Sequence, residues 1–246
     1  MKKILCLVSA ILLVLNSCSS NDAQSIDKTS EVLLKKTIIT GADNSFSEVK
    51  CLYDGNKIVS NTSNNENELR YIYTGTKITK LEFFERGMLQ SYIDYTYNNE
   101  KLVSKSNMLP NGEKISETEY TYFDNGNISY LESIKAGSQI VTVLGVYKFS
   151  NGNLLSSEKY ENGFMTTGVY YEYDNKNNPS KNILGFNLLL DHDVSVNNVV
   201  KQTCISNSGV TTEFTNAYKY NAKDYPTEKI KSIVNRNAKE TTQFFY

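Results

Sequence analysis

A short aromatic-x-aromatic unit returns along this chain about every 24 residues, and that repeat limits the fold more than any other feature. It reads Tyr71-Ile72-Tyr73, Tyr95-Thr96-Tyr97, Tyr120-Thr121-Tyr122, Tyr147-Lys148-Phe149, Tyr171-Glu172-Tyr173 and Tyr218-Lys219-Tyr220. Cys51-Leu52-Tyr53 precedes the set and Phe244-Phe245-Tyr246 closes it. The interval between Tyr173 and Tyr220 is nearly double, and Val194-Ser195-Val196 stands in it as a degenerate unit, which makes nine units. Fixed-period self-similarity of this kind marks a repeat architecture.

Each unit has the same internal order. The aromatic pair leads into an Asn/Gly/Asp turn, such as Asp54-Gly55-Asn56 or Ser150-Asn151-Gly152-Asn153, and then an aliphatic (Ile58, Ile78, Leu102, Ile128, Leu154, Val199) opens a return segment. Asn and Gly tolerate the positive φ angles of tight hairpins. Within segments the period is two: Ile93, Tyr95 and Tyr97 share one face, Tyr92, Asp94 and Thr96 the other. Alternation between regularly spaced turns predicts antiparallel strands with one wet face. The expected fold is an all-β, repetitive antiparallel meander of about 16–18 short strands, two per repeat, forming an elongated or curled sheet over residues 31–246. Tyr supplies 18 of the aromatic residues and Trp none. A ladder of Tyr rings laid along a thin sheet with wet hydroxyls would hold it together. The run Ile183 to Leu190 breaks the pattern, as a short helix or plug would.

The aromatic-turn-aliphatic grammar, closest over Tyr120–Ile128 and Tyr147–Leu154, resembles the YD repeat of Rhs and teneurin-type proteins. The segments Tyr173–Phe186 and Tyr220–Thr227 look like parts of small YD-repeat-like lipoproteins of Bacteroidota. That resemblance covers about residues 50–246 and implies a β-rich repeat with no established activity.

The start of the chain reads as an address. Met1-Lys2-Lys3 is a positive head, and Ile4 to Leu15 is apolar but too short to span a bilayer, which suits a cleaved signal over 1–17. Leu15-Asn16-Ser17-Cys18 resembles the lipobox of bacterial lipoproteins, which implies lipidation at Cys18 and a membrane contact through that lipid. Residues 18–30, polar and small at their start, then form a flexible tether. Ser19 is not the Asp that retains such proteins at the inner membrane, so an outer-membrane location is expected, facing periplasm or cell surface.

Chemistry is thinly represented. With 26 basic against 27 acidic residues, the chain lacks the charge of a nucleic-acid binder. The one histidine, His192, sits in Asp191-His192-Asp193, where neighbours on an extended chain point to opposite faces. No nucleophile elbow, zinc or phosphate-loop motif is present. No cofactor, metal or catalytic residue is therefore assigned. Cys51 and Cys204 would lie about twelve strands, roughly 58 Å, apart in an open, elongated sheet, which predicts two free, buried thiols. Tyr92, Tyr130, Tyr160 and Tyr170 fall outside the main ladder and are the candidates for stacking on a ligand. The expected role is a lipid-anchored envelope protein presenting a β-surface to a glycan or an envelope or host protein, without catalysis. Alternatives are a polysaccharide hydrolase with paired carboxylates in a groove, and a transmembrane β-barrel, supported by the aromatic C-terminus but opposed by charged strand faces.

Overall fold

A computed structural model gives the fold, and it describes residues 32–190, 194–236 and 238–246. The signal, the tether, Cys18 and His192 lie outside the described residues. Val32–Tyr246 is one compact unit.

The unit is built from sixteen strands: β1 Lys36–Thr40, β2 Phe46–Asp54, β3 Lys57–Ser63, β4 Asn67–Thr74, β5 Lys77–Glu85, β6 Met88–Asn98, β7 Lys101–Met108 and β8 Lys114–Tyr122 make the first half. The second half is β9 Asn127–Ala136, β10 Gln139–Ser150, β11 Asn153–Glu161, β12 Phe164–Tyr173, β13 Val199–Ile205, β14 Thr211–Tyr220, β15 Pro226–Ile233 and β16 Lys239–Phe245. Each strand pairs antiparallel with its neighbours in sequence, and β1 pairs with β16 from Lys36↔Phe245 to Thr40↔Thr241. The meander is thus a closed barrel, not an elongated or curled open sheet. Closure removes the two exposed edges that an open meander of this length would present to other chains.

The repeat supplies a device that turns the sheet. In six strand pairs the register slips by one residue just before the last aromatic: at Leu52/Tyr53, Ile72/Tyr73, Thr96/Tyr97, Lys148/Phe149, Glu172/Tyr173 and Lys219/Tyr220. The residue after the opening aliphatic (Val59, Thr79, Val103, Leu155) is the one left unpaired. A β-bulge bends its strand and raises the local twist, so a bulge repeated around the meander curves it evenly towards closure. The turns fit: Asn151 and Gly152 have φ of 50° and 77°, and Asn162 and Gly163 have φ of 51° and 81°, the left-handed pair of a tight hairpin.

The tyrosine ladder points into the barrel, and its hydroxyls are not left to solvent. Tyr97, Tyr122 and Tyr173 donate to the carbonyls of Ile78, Leu102 and Leu154 at 2.8, 2.9 and 2.6 Å. Each hydroxyl reaches the aliphatic that opens the return strand of an earlier hairpin. Tyr218 does the same to Val199 and Tyr246 to Pro226, both at 3.0 Å. The repeat therefore ties hairpins together through side-chain to backbone bonds, each worth about 1 kcal/mol net.

One connection is long. Residues 174–198 join β12 to β13 at the end where β1 begins and β16 ends, and they carry a 3-10 turn at Phe186–Leu188. Ile183, Leu189 and Leu190 are buried in the same core cluster as Tyr71, Ile78 and Leu102. Ile183 to Leu190 is therefore a plug that closes this end. It is fastened by Tyr73 Oη to the Leu184 carbonyl and by the Leu184 amide to the Asn56 carbonyl, both 3.0 Å. Val194-Ser195-Val196 is not a strand unit. The Val196 amide bonds the Gly152 carbonyl, and Ser195 Oγ accepts from the Leu154 amide. The segment returns the plug to the wall, and the strand count ends at sixteen.

Cys51 and Cys204 are free, as expected, but half-buried and not buried. The long way round through twelve strands is not what separates them, because closure puts only β1, β16, β15 and β14 between β2 and β13. Burial pushes the Cys51 thiol up to about 11, which keeps it protonated and unreactive.

Candidate functional site

The two faces of the wall have different chemistry. On the outside, charges pair along one strand, Arg70 with Glu68 at 2.9 Å on β4, and across strands, Lys80 with Asp94 at 3.1 Å, Lys201 with Glu213 at 2.9 Å, and Lys219 with Glu228 at 2.8 Å. Glu82, Glu117 and Glu119 add further acids, while Ser104, Ser106, Thr121 and Ser129 fill positions between. Exposed ion pairs contribute little stability, about 0–1 kcal/mol each. What they mark is a charged outer face of the wall.

Inside, the half nearest the plug is an aromatic and aliphatic core. Tyr120, Tyr130 and Tyr147 form a chain of rings with centroids 6.3 and 4.8 Å apart, and Phe186 of the plug lies 5.9 Å from Tyr71. Beyond that layer a cavity of about 370 Å³ opens along β10 to β15. Tyr147, Tyr171, Tyr173 and Tyr218 give it apolar panels, Ser157, Gln202 and Asn216 give it hydrogen-bonding groups, and Lys229 and Lys231 give it charge. Leu190 of the plug forms part of its wall, and among the described residues no Asp or Glu lines it. Its size and its mixture of apolar panels with a few polar groups are those of a small-ligand site.

Two polar atoms in this sector are buried without a hydrogen-bond partner. The Asn216 side-chain amide donates to the Val199 carbonyl at 2.8 Å, which leaves its Oδ1, buried, with no partner. Thr242, cross-strand partner of Lys229, has a buried Oγ1 in the same condition. A buried acceptor left unmatched costs about 1–3 kcal/mol.

The four tyrosines singled out from sequence separate. Tyr130 is inside, 4% exposed, laid over Gly145 on the facing strand. Burial pushes its hydroxyl up to about 12. Tyr92 is on the outer wall under Lys80, whose ammonium is 3.9 Å from the ring centre. Tyr160 and Tyr170 come together on the outer wall around Glu158. That carboxylate accepts from Tyr160 Oη at 2.6 Å, Lys148 Nζ at 2.9 Å and Ser156 Oγ at 3.3 Å. The ring of Tyr170 lies against Gly168, where a Cβ would be 3.0 Å from it. The lumen lysines and Asn216 are absent from the sequence-based set. Their signal was present in Lys229-Ile230-Lys231, two lysines on one face of a strand, but nothing local says that this face looks into a cavity.

The Glu158 cluster has a pH signature. Burial of the carboxyl raises its pKa, but the bonds from Tyr160, Lys148 and Ser156 outweigh that and leave it below the ordinary glutamate value. A depressed folded-state pKa gives stability that is complete above the ordinary value and is lost as pH falls through the folded one. Tyr160→Phe removes the shortest of the three bonds, so the Glu158 carboxyl should titrate at higher pH in ¹³C NMR. The loss of stability on going from about pH 7 to about pH 3 should shrink in parallel. An unchanged Glu158 midpoint would show that Tyr160 does not set it.

No family model matches the chain, and no curated protein matches it. Among solved structures it is similar to a porin-like protein from Bacteroides uniformis, with a TM-score of 0.56 and 13% identity over 86% of this chain and 97% of that one. A porin-like protein from Bacteroides vulgatus gives a TM-score of 0.52 and 15% identity, over 88% and 99%. The likeness is one of fold. At these identities it carries the closed meander and no residue's role, and the wall chemistry has to be read from this chain itself.

Proposed function

We propose that this chain is a non-enzymatic envelope protein, tethered through a lipid on Cys18, whose barrel stands in water and holds a glycan in its lumen. The observation that carries the reading is the contrast between the two faces of one wall. Outside is an ion-paired surface, and inside is a cavity with tyrosine panels, amides and lysines. The apolar face of a sugar ring packs on an aromatic ring while its rim of hydroxyls takes hydrogen bonds, and Tyr offers both kinds of contact. The lumen takes the place of the outer Tyr face as the presenting surface. Hydrolysis of a glycosidic bond needs two carboxyl groups about 5–9.5 Å apart flanking the bond, and no such pair lines the cavity among the described residues. The fold likeness favours a second reading, a membrane-spanning barrel, against which the charged outer wall stands.

Cell fractionation tests the tether and the wall together. Wild-type protein is expected in the membrane pellet, and Cys18→Ser protein in the soluble fraction. Cys18→Ser protein that stays in the pellet after a carbonate wash and leaves it only with detergent would overturn the reading. Protease digestion of intact cells then tells the surface from the periplasm.

A further inference from the structure

We propose that this chain pairs with a second copy of itself, end to end, through the rim of hairpin turns opposite the plug. The pairing is independent of the lumen reading and holds whatever the lumen binds. Eight turns make that rim, from β1–β2 round to β15–β16. Six of them carry a large apolar side chain exposed to solvent, in the turn or within two residues of it. These are Phe46, Met88, Ile140, Phe164, Val210 and Val234, from 40% exposed at Val234 to 78% at Phe164. The turns at the plug end are built differently. Asp54-Gly55-Asn56, Thr74-Gly75-Thr76 and Asn98-Asn99 are polar, as turns usually are. Among the described turn residues there, Phe123 is the one exposed large apolar side chain. Single apolar residues scattered over a surface need no explanation, but a ring of them confined to one end of a barrel marks an interaction site. Charges between them come in both signs, as in the pairs Lys135 with Glu113 and Arg86 with Glu66, so two rims do not repel as blocks.

A second copy is the partner that the order of the turns fits. In the closed meander the turns follow one another round the rim in chain order. Two identical rims placed face to face about a two-fold axis meet with that order reversed. The two turns without an exposed large apolar residue, at 64–66 and 109–113, flank the β5–β6 turn that carries Met88. An axis through that turn and the β13–β14 turn, halfway round the rim, sets those two turns against each other. Phe46 then faces the partner's Ile140, Phe164 faces the partner's Val234, and Met88 and Val210 each face their own counterpart. No other turn-on-turn register gives every apolar turn an apolar partner. The six side chains together expose about 800 Å², so two copies would bury roughly 1,600 Å², the size of a standard stable interface. The partner would lie across the end of the barrel that the plug leaves uncovered.

The test uses the full chain in its own cells, with single cysteines at Met88, Val210, Phe46 or Ile140, and at Glu100 in a plug-end turn as control. The wild-type chain, with its two half-buried thiols, sets the baseline. After mild oxidation and non-reducing electrophoresis, Met88→Cys and Val210→Cys should run as covalent dimers, because residues on the axis meet themselves within disulfide reach. Phe46→Cys and Ile140→Cys should cross-link only when expressed together, and Glu100→Cys should stay monomeric. Ile140→Asp/Phe164→Asp, changed at the surface, should cut the Met88→Cys dimer about tenfold or more with an unchanged melting temperature. Equal yields from Glu100→Cys and Met88→Cys, or a yield indifferent to the Asp pair, would mean chance collision and overturn the inference. Self-dimers of Phe46→Cys as abundant as those of Met88→Cys would overturn the axis. No covalent dimer from any rim position overturns the pairing. If the rim cysteines are then shielded from a membrane-impermeant maleimide, the ring belongs to a lipid surface instead.

Discussion

Gly145→Val is expected to lower stability by about 3–5 kcal/mol, the largest effect of any single substitution in the wall. Gly145 sits mid-strand in β10, where glycine is otherwise unfavourable because it packs nothing and orders poorly. Its partner on β9 is Tyr130, whose ring lies flat on the glycine backbone, and a Cβ at position 145 would fall inside the Cε1, Cζ and Oη atoms of that ring. The ring has nowhere to go. It is 4% exposed and packed 4.8 Å from Tyr147 and 6.3 Å from Tyr120. Valine must either expel Tyr130 from the core or spread β9 from β10. At about 2–4 °C per kcal/mol for a chain of this size, thermal circular dichroism should show a fall of roughly 6–20 °C. Gly168→Ala is the control. There the tyrosine under pressure is Tyr170 on the outer wall, whose ring can give way, and less than about 1 kcal/mol is expected. Tyr130→Ala in the Gly145→Val background should be less damaging than the sum of the two changes, since the clash has then lost one side. A Gly145→Val protein melting within about 2 °C of wild type would mean that the ring does not lie where the core places it.

This pairing shows what a single sequence reveals and what it hides. The strands, their order and the turns were legible because every hairpin repeats the same aromatic, turn and aliphatic. Closure was not, because it depends on β1 pairing with β16, and Lys36–Thr40 carries none of the repeated aromatics. The bulges that curve the sheet were visible only as a near-constant spacing from aromatic to aliphatic, with no sign that in six strand pairs one residue is left unpaired. Tyr92, Tyr160 and Tyr170 were correctly set apart from the inward ladder by phase. Tyr130 was set apart too, yet it lies two positions from Ile128 and so faces inward with it. The plug announced itself as an apolar run that breaks the grammar, while its place in the mouth depends on contacts with Asn56 and Tyr73, more than a hundred residues away. The site was the least legible part. Whether Lys229 and Lys231 face water, lipid or a cavity is decided by the radius of the closed barrel, a property of all sixteen strands together.

Residues 32–246 are expected to refold from urea into a soluble, cooperatively melting barrel with no detergent present. A membrane-spanning barrel needs an apolar outer band about 25 Å tall, and Lys or Arg on its lipid face near the midplane costs about 2–4 kcal/mol each. The outward positions of this wall include Arg70, Lys80 and Lys201 with Glu82, Asp94, Glu119 and Glu213, well inside their strands and not only at the rims. A handful of such residues would add roughly 10–20 kcal/mol to the cost of insertion, more than the whole stability of an ordinary domain. In water the same residues are solvated and paired, and the Tyr hydroxyls that tie the hairpins together need no lipid. An apolar row on the outside, Leu131, Leu144, Tyr160 and Met165 across β9 to β12, covers four strands of the sixteen. Size-exclusion chromatography after refolding should show a soluble species with a single urea transition. Aggregation without detergent, and folding only in micelles or vesicles, would reject the water-filled surroundings inferred for this wall and return the chain to the membrane-spanning class.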